Sequence, residues 1–525
     1  MAVADIVKSS LGPTGLDKMI VDEVGDITIT NDGATILKKL DIQHPAARIL
    51  IELSDRQDQD VGDGTTSVVI LGAELFRNAV DLVKKQVHPT LCITGYLKAA
   101  KECRNFIKNS ISIKPTSLPR ETLISVAKTS MNSKIISASS DKFSQIVTDA
   151  IIAIQRTNNK GKISAPVKNV GILCAMGSSM EESQLINGLA LPLQRASSEM
   201  PSMLQGTTEN PLKIALLHMD LKVQRIANVE LQTTSAESAE DLRIHESDSL
   251  MRTLQAIIDA KINVVITSGS IDDESQKILT ENNIIGVRHV DTEDLKRLAL
   301  ATGAQVVQDL SSFDDEFQLV EDVFPVHAIG HLQGFKQTLI NSNHIMYFEK
   351  PASSAAVTIL LRGPSEHMLD EISRSVHDAL CACSKTLEAN SFAPGGGAVE
   401  VALGVMLEER AEAGTIGDDP KERMAIKAFA QSLFTIPKIL AANAAKDSNE
   451  LLAYLKSAHL HAQEAGLPCY DGLDLELGEI RDNLAAGVIE PAAGKAKMVL
   501  SAAEAAVSLL RIDCHITLNK EPQRQ

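Results

Sequence analysis

Two stretches of helical periodicity enclose one of a different kind, and this change of period is what most restricts the architectures open to the chain. From Ala46 to Asn109, and again from Ser365 to about Ile512, apolar residues recur at helical spacing. Between about Ile186 and Leu361, β-rich runs alternate with helical ones. The former include Ile214-Ala215-Leu216-Leu217, Val264-Val265-Ile266-Thr267 and Ala304-Gln305-Val306-Val307; the latter fall at Leu250 to Ala260, Asp273 to Glu281 and Thr292 to Ala301. The alternation predicts an α/β domain inserted into a helical one. At 525 residues the chain outgrows a single core, and length alone suggests about three domains.

Chemistry concentrates in Val61-Gly62-Asp63-Gly64-Thr65-Thr66-Ser67, which precedes the apolar segment from Val68 to Val83. The pattern predicts a loop feeding a helix N-terminus. Glycines let backbone approach a bulky anion, and the free N–H groups of a first helical turn favour negative charge. A carboxylate beside phosphates needs a cation between them, which makes Asp63 a candidate Mg²⁺ ligand and Thr65 and Thr66 candidate donors to phosphate. An ordinary Asp/Thr helix cap is the competing explanation. No Gly-Lys-Ser/Thr follows, so this is not a Walker A loop.

Other stretches are individually less specific. A helix over Ala2 to Ser10 should stop at Leu11-Gly12-Pro13-Thr14-Gly15. Val21 to Thr30 has the residues of a hairpin and ends in Asn31-Asp32-Gly33, where Asp32 is either a cap or a second functional carboxylate. His88 before Pro89 marks a helix boundary. After the Pro115 to Pro119 linker, Glu121 to Val126 opens a helix whose apolar rhythm breaks over Ala127 to Lys134. There Lys134, among hydroxyl residues, could reach a phosphate as a point charge, or could be a solvated surface residue. Asp378 lies in a partly apolar helical segment and needs a partner if it is buried. Ala393-Pro394-Gly395-Gly396-Gly397-Ala398 is a hinge or a close-approach loop, and Glu490 falls in the turn Ala486 to Pro491. Gln232 to Ser249 is polar and acidic, as expected of an exposed protrusion, and the tail from Asn519 is polar.

Composition removes several function classes. A net charge of −17, 3% aromatic residues and no Trp oppose nucleic-acid binding. The seven cysteines are scattered without a Cys-x-x-Cys pair, a distribution that favours reduced thiols in the cytoplasm over a disulfide framework or zinc site. No secretory leader and no membrane span is expected.

Taken together, Val7-Lys8-Ser9-Ser10-Leu11-Gly12-Pro13, Gly15 to Met19, Ile29 to Leu37, Gly62 to Ser67, His377-Asp378-Ala379-Leu380, Pro394 to Glu400 and Arg511-Ile512-Asp513 closely resemble the group II chaperonins, the family that includes the eukaryotic cytosolic chaperonin. The resemblance is strong toward both ends and thin from about Cys174 to Lys350. It implies a multidomain α and α/β fold with three parts. These are a helical equatorial, ATP-binding domain over 1–126 and 396–525, an intermediate hinge domain over 127–188 and 362–395, and an α/β apical, substrate-binding domain over 189–361 with a helical protrusion near 232–249.

Carried over residue by residue, the resemblance implies Asp63 as the Mg²⁺ ligand and Gly64, Thr65, Thr66 and Ser67 as phosphate contacts, with Gly12 in a second phosphate loop. Asp378 would orient the attacking water with Asp32 in support, Ser133 and Lys134 would sense the γ-phosphate, and Gly396, Gly397 and Glu490 would surround the ribose and base. The implied function is ATP hydrolysis driving closure of a double ring of paralogous subunits around unfolded clients such as actin and tubulin. Relatives carry an N-terminal strand before the position of Met1, so a reduced inter-subunit sheet is expected. A ring subunit that binds nucleotide with little turnover, or a self-contained small-molecule kinase or ATPase, would use the same loops.

Overall fold

The computed structural model describes the chain apart from residues 24, 26, 41, 43, 117, 158–160, 208, 223–249, 309–323, 326–327, 342, 354, 515 and 517–525. The expected protrusion over Gln232 to Ser249 and the tail from Asn519 lie outside the described residues. Contacts divide the chain into two units, one formed by Met1–Ile151, Thr157–Ala165 and Asp370–Gln525, the other by Ile152–Arg156 and Pro166–Leu369.

The second unit is built on an eight-stranded mixed sheet. Strands Leu212–Leu217, Val264–Thr267 and Ile285–Val287 run parallel, with Val306–Val307 parallel to the first. The long strand Ile329–Ile340 is antiparallel to Leu212–Leu217 and to Asn343–Pro351. Both sheet faces are covered, which is why these strands read as continuous apolar runs. Leu212, Ile214 and Leu216 enter one core with Val264, Ile266 and Leu298; Ala215 and Leu217 enter another with Val265, Leu254 and Leu279. The expected helices are present over 250–259, Asp273–Glu281 and Thr292–Thr302. The expected strand at Ala304 to Val307 shortens to Val306–Val307, because Gly303 in a left-handed conformation ends the preceding helix and the chain needs two residues to reach the sheet.

The first unit is helical. Its centre is Thr65–Lys84, where Val68, Val69, Ile70, Leu71 and Leu75 are wholly buried. From Thr65 to Leu75 this helix is buried on nearly every side, and such a stretch is stable only when surrounded, whereas Arg77, Asp81 and Lys84 beyond it reach solvent. Around it lie Pro45–Val61, Pro89–Phe106, Pro420–Leu433 and Ala492–Leu510, whose Ala502, Ala503 and Ala506 permit close packing. The Tyr96 hydroxyl donates to the Leu75 carbonyl at 2.8 Å, and its ring meets Phe429 edge-on. A hairpin forms but starts earlier than expected, with Lys18–Val21 against Ile27–Thr30, so that only Val21 of its first strand lies in the expected stretch. His88 caps Pro89–Phe106 by accepting from the Thr90 N–H. The helix opening near Glu121 is longer than its apolar rhythm suggests. It spans Arg120–Met131, because Ala127, Ser130 and Met131 continue its buried face.

Short strands also occur in the expected helical region. Phe392–Pro394 pairs with Ile489–Pro491, and Asp471–Asp474 with Glu479–Asp482. Runs of three or four residues are too brief to show a period.

Gly62 ends Pro45–Val61 at φ +73°, and a Cβ placed on it would lie 2.3 Å from Cβ of Cys381. This contact seats the helix Glu366–Ala389 directly on the Asp63 loop. Gly62→Ala should therefore cost at least about 1–2 kcal/mol for the left-handed backbone alone, with the clash added. An unaltered denaturation midpoint would show that the two segments separate freely.

Candidate nucleotide site

A cavity of about 460 Å³ opens in the first unit where the Gly12 turn, the Asp63 loop, the end of Arg120–Met131 and the Gly396 loop converge. The Gly12 turn is pinned from across the unit, since Asn443 Nδ2 donates to the Lys8 and Leu11 carbonyls at 2.9 and 2.8 Å. Leu440 and Ile436 supply apolar wall beside it. Two buried polar atoms of the wall, Gln57 Oε1 and Ser130 Oγ, have no hydrogen-bond partner among the described residues. Buried polar atoms are rarely left so unless a ligand or water completes them.

At one end of the cavity, two helix starts face each other. Asp32 caps Gly33–Lys39, accepting from the Ala34 and Thr35 N–H groups at 3.3 and 2.9 Å, and also from the Thr65 hydroxyl at 3.0 Å. Gly33 lets them meet, because any Cβ there would lie 2.5 Å from Thr66 Oγ1. The helix Thr65–Lys84 has no side-chain cap of its own. Asp63 does not cap it: its Oδ1 accepts from the Gly64 N–H at 2.6 Å, while the carboxylate lines the cavity. An ordinary Asp/Thr cap therefore fails as an account of this loop.

Lys134 is no surface residue. Only 8% of its side chain is exposed, and its ammonium is ion-paired with Oδ2 of Asp378, which is 14% exposed. Asn31 Nδ2 donates to the Ser133 carbonyl at 2.8 Å, tying this segment to the Asp32 turn. Burial opposes the charge on Lys134, but Asp378, Asp63 and Asp32 outweigh it and raise its pKa. Burial likewise opposes the charge on Asp32, yet Thr35, Lys134 and Thr65 hold its carboxyl below the usual range. Asp63 goes the other way. Burial pushes it up to about 6, helped by the negative charges of Glu490 and Asp378 and resisted by Lys134 and the Gly64 N–H.

Gly12, Asp63, Gly64, Ser67, Ser133, Gly396, Gly397 and Glu490 line the cavity. Asp32, Thr65, Thr66, Lys134 and Asp378 adjoin its Asp63 end without lining it. All thirteen belong to the first unit.

Sequence reasoning missed Lys495, which also lines the cavity and bridges Glu490 at 2.6 Å and Glu400 at 2.8 Å. A basic residue at the start of an Ala-rich buried helix was the available signal, since it requires a carboxylate partner. Asp58 was missed too. Its carboxyl is raised by burial and by Asp378 and Asp32, and nothing in the pattern of Pro45–Val61 distinguished it from a solvated acid. The ion pair of Asp474 with Arg481 at 2.7 Å forms a further stretch of wall and depends on a hairpin that the sequence did not reveal.

A glycine-bordered cavity with an uncapped helix start, two buried ammonium groups and several carboxylates is suited to a polyphosphate accompanied by a divalent cation. Among the described residues, no three His, Cys, Asp or Glu are placed to hold a metal by themselves. An ion here would thus share Asp63 with phosphate oxygens and water. Comparison with known sequences gives the class: over residues 3–520 the chain belongs to the TCP-1/cpn60 chaperonin family. Among its relatives is the T-complex protein 1 subunit alpha of Tetrahymena pyriformis, 44% identical over 99% of this chain and 94% of the relative. The subunit of the same name from Arabidopsis thaliana is also 44% identical, over 99% and 94%. A thermosome subunit of Methanothermococcus thermolithotrophicus is 33% identical over 99% and 90%.

Because Asp63 keeps its proton to about pH 6 when folded and loses it near 3.8 when unfolded, stability without nucleotide should fall as pH rises through that window. Asp63→Asn should remove this slope and, at pH 7, raise stability by on the order of 1–3 kcal/mol. Thermal midpoints from pH 4 to 8 check this, and a variant less stable than the parent at pH 7 would contradict it. A divalent cation held through Asp63 would bind less well below about pH 6, where protons would compete for the carboxylate.

Proposed function

We propose that this chain is an ATP-dependent chaperonin subunit that hydrolyses ATP in the cavity beside Asp63. The reading rests on one observation above all: Asp63, Asp32, Asp378 and Lys134 are gathered at the cavity end where a helix start is left open. Asp63 would hold Mg²⁺, which would neutralise phosphate charge and polarise the γ-phosphoryl group. Gly64, Thr65, Thr66 and Ser67 would bind phosphate oxygens through the first turn of Thr65–Lys84, with Gly12 closing the opposite side. Gly396, Gly397 and Glu490 would receive the ribose and base.

Phosphoryl transfer needs positioning and charge neutralisation more than covalent help. Asp378 pairs with Lys134 through Oδ2, and its Oδ1, 3.9 Å from His377 Nδ1, would accept a hydrogen bond from the attacking water. Ser133 and Lys134 would turn toward the γ-phosphate, loosening that pair as the water is oriented. Asp32, whose acceptors are already filled by Thr35 and Thr65, supports the arrangement without moving.

On this reading the equatorial, intermediate and apical division over 1–126 with 396–525, 127–188 with 362–395, and 189–361 couples hydrolysis to lobe closure. The chain would act in the cytoplasm within a double ring of paralogous subunits enclosing unfolded clients, actin and tubulin among them. Size-exclusion chromatography with mass spectrometry of co-purifying chains tests the assembly. A monomer would favour the self-contained ATPase instead.

Asp378→Ala should leave nucleotide binding largely intact and slow hydrolysis on this chain by about 100-fold or more. Photolabelling the assembled protein with 8-azido-ATP carrying either α- or γ-label reads both quantities on the one chain. The variant should retain γ-label that the parent loses, and loss at the parental rate would remove Asp378 from the reaction.

A further inference from the structure

Beside the Asp63 loop, a histidine and a cysteine form a pair that hydrolysis does not need. His377 and Cys381 stand one turn apart on the helix Glu366–Ala389, and Cys381 Sγ lies 3.9 Å from both ring nitrogens of His377. His377 exposes 52% of its side chain and Cys381 is half-buried, so a small molecule can reach the sulfur. On its other side Cys381 packs against Gly62, where a Cβ would lie 2.3 Å from the Cys381 Cβ and 2.7 Å from its Sγ. Any atom added to this sulfur competes for space with the residue that precedes Asp63.

The charges around the pair suit a nucleophile. Asp378, whose Oδ1 is 3.9 Å from His377 Nδ1, and then Cys381 raise the His377 pKa to about 10 against its partial burial, so the ring is an imidazolium at neutral pH. Its charge also reaches Asp58 on the helix Pro45–Val61. A cation in contact with sulfur stabilises the negative charge that a cysteine carries when it attacks. Burial does the opposite to the Cys92, Cys103, Cys383 and Cys469 thiols, whose pKa values it pushes up. Such thiols are inert.

We propose that Cys381, paired with His377, is a modification site for hydroperoxides, and that its oxidation parts the Asp378 helix from the Asp63 loop and slows hydrolysis on this chain. Sulfur attacks one peroxide oxygen, so that an S–O bond forms as the O–O bond breaks. Sulfur gives up an electron pair and becomes a sulfenic acid, while the peroxide is reduced. The imidazolium protonates the departing hydroxide to water and is refilled by the proton that the thiol released. The added oxygen lies between His377 and Gly62, where the packing leaves it no room without movement of the helix or the loop. A small thiol reverses the change, two molecules of it leaving as their disulfide with one water. The oxidation itself stands apart from the nucleotide reading, whereas its effect on turnover rests on that reading.

The test exposes the assembled protein to hydrogen peroxide, traps sulfenic acid with dimedone and locates it by mass spectrometry. In parallel, loss of γ-label from 8-azido-ATP is followed on this chain. Dimedone should mark Cys381 ahead of the exposed Cys174 and Cys514, and His377→Gln should slow that capture at least about tenfold, the worth of one hydrogen bond to a charged group. Oxidation without dimedone should slow γ-label loss by about tenfold or more, as expected of a displaced catalytic group, with α-label retained and the rate restored by dithiothreitol. Cys381→Ser, or Cys381→Ala should the serine chain fail to assemble, should hydrolyse alike with and without peroxide. Capture at Cys174 or Cys514 in preference to Cys381, parental capture in His377→Gln, unchanged turnover after oxidation, or a Cys381 variant still slowed by peroxide overturns the proposal. An untreated parent that never loses γ-label would overturn the nucleotide reading instead, and dimedone capture would still decide the oxidation.

Discussion

Burial of the first half of the helix Thr65–Lys84, through Leu75, is the constraint on which the first unit depends. Each fully buried side chain among Val68, Val69, Ile70, Leu71 and Leu75 contributes roughly 1.5–3 kcal/mol relative to exposure. Over that half the helix can be approached only at its N-terminus. Its N-terminus is where Gly64 replaces a capping side chain and where Gly33 brings a second helix start within contact of Thr66. Packing thus leaves a cluster of backbone donors at a fixed place, with no side chain committed to them. The chemistry of the cavity follows from that vacancy.

The carboxylates around it are arranged with too little positive charge to balance them. Asp63, Asp32 and Asp378 all act on Lys134, and Asp58 lies near enough to be shifted by two of them. Their environments then drive them apart: Asp32 is held ionised by four donated hydrogen bonds, whereas burial favours a proton on Asp63. Residues with divergent proton affinities in one site are suited to different tasks. Asp32 fits a structural brace. Asp63, whose charge is costly where it is buried, fits a position where an entering cation would offset that charge.

Much of this was legible before any coordinates. The switch from helical to alternating periodicity located the α/β insertion, since both faces of its sheet are covered and its strands therefore read as unbroken apolar runs. Gly62 to Ser67 announced a loop entering a helix, and His88 a helix start, because backbone geometry there depends on one or two residues. Lys134 was opaque for the opposite reason. Its partner Asp378 lies 244 positions away, and no local pattern distinguishes an ammonium paired at that range from one in water. The Asp474 to Arg481 wall was hidden because a two-stranded ribbon of four-residue strands has too few residues for its period to emerge. Lys495 was overlooked in an Ala-rich helix whose weak amphipathicity drew no attention to a single charge.

The discontinuity of the first unit has a consequence for synthesis. Thr65–Lys84 leaves the ribosome roughly 400 residues before Ala492–Leu510, the helix that shields one of its flanks. At about 5–20 residues per second, its greasy surface must wait on the order of 20–80 s for cover. A molecule of this design spends the first minute of its existence as the kind of vulnerable nascent chain that cellular folding helpers exist to shelter.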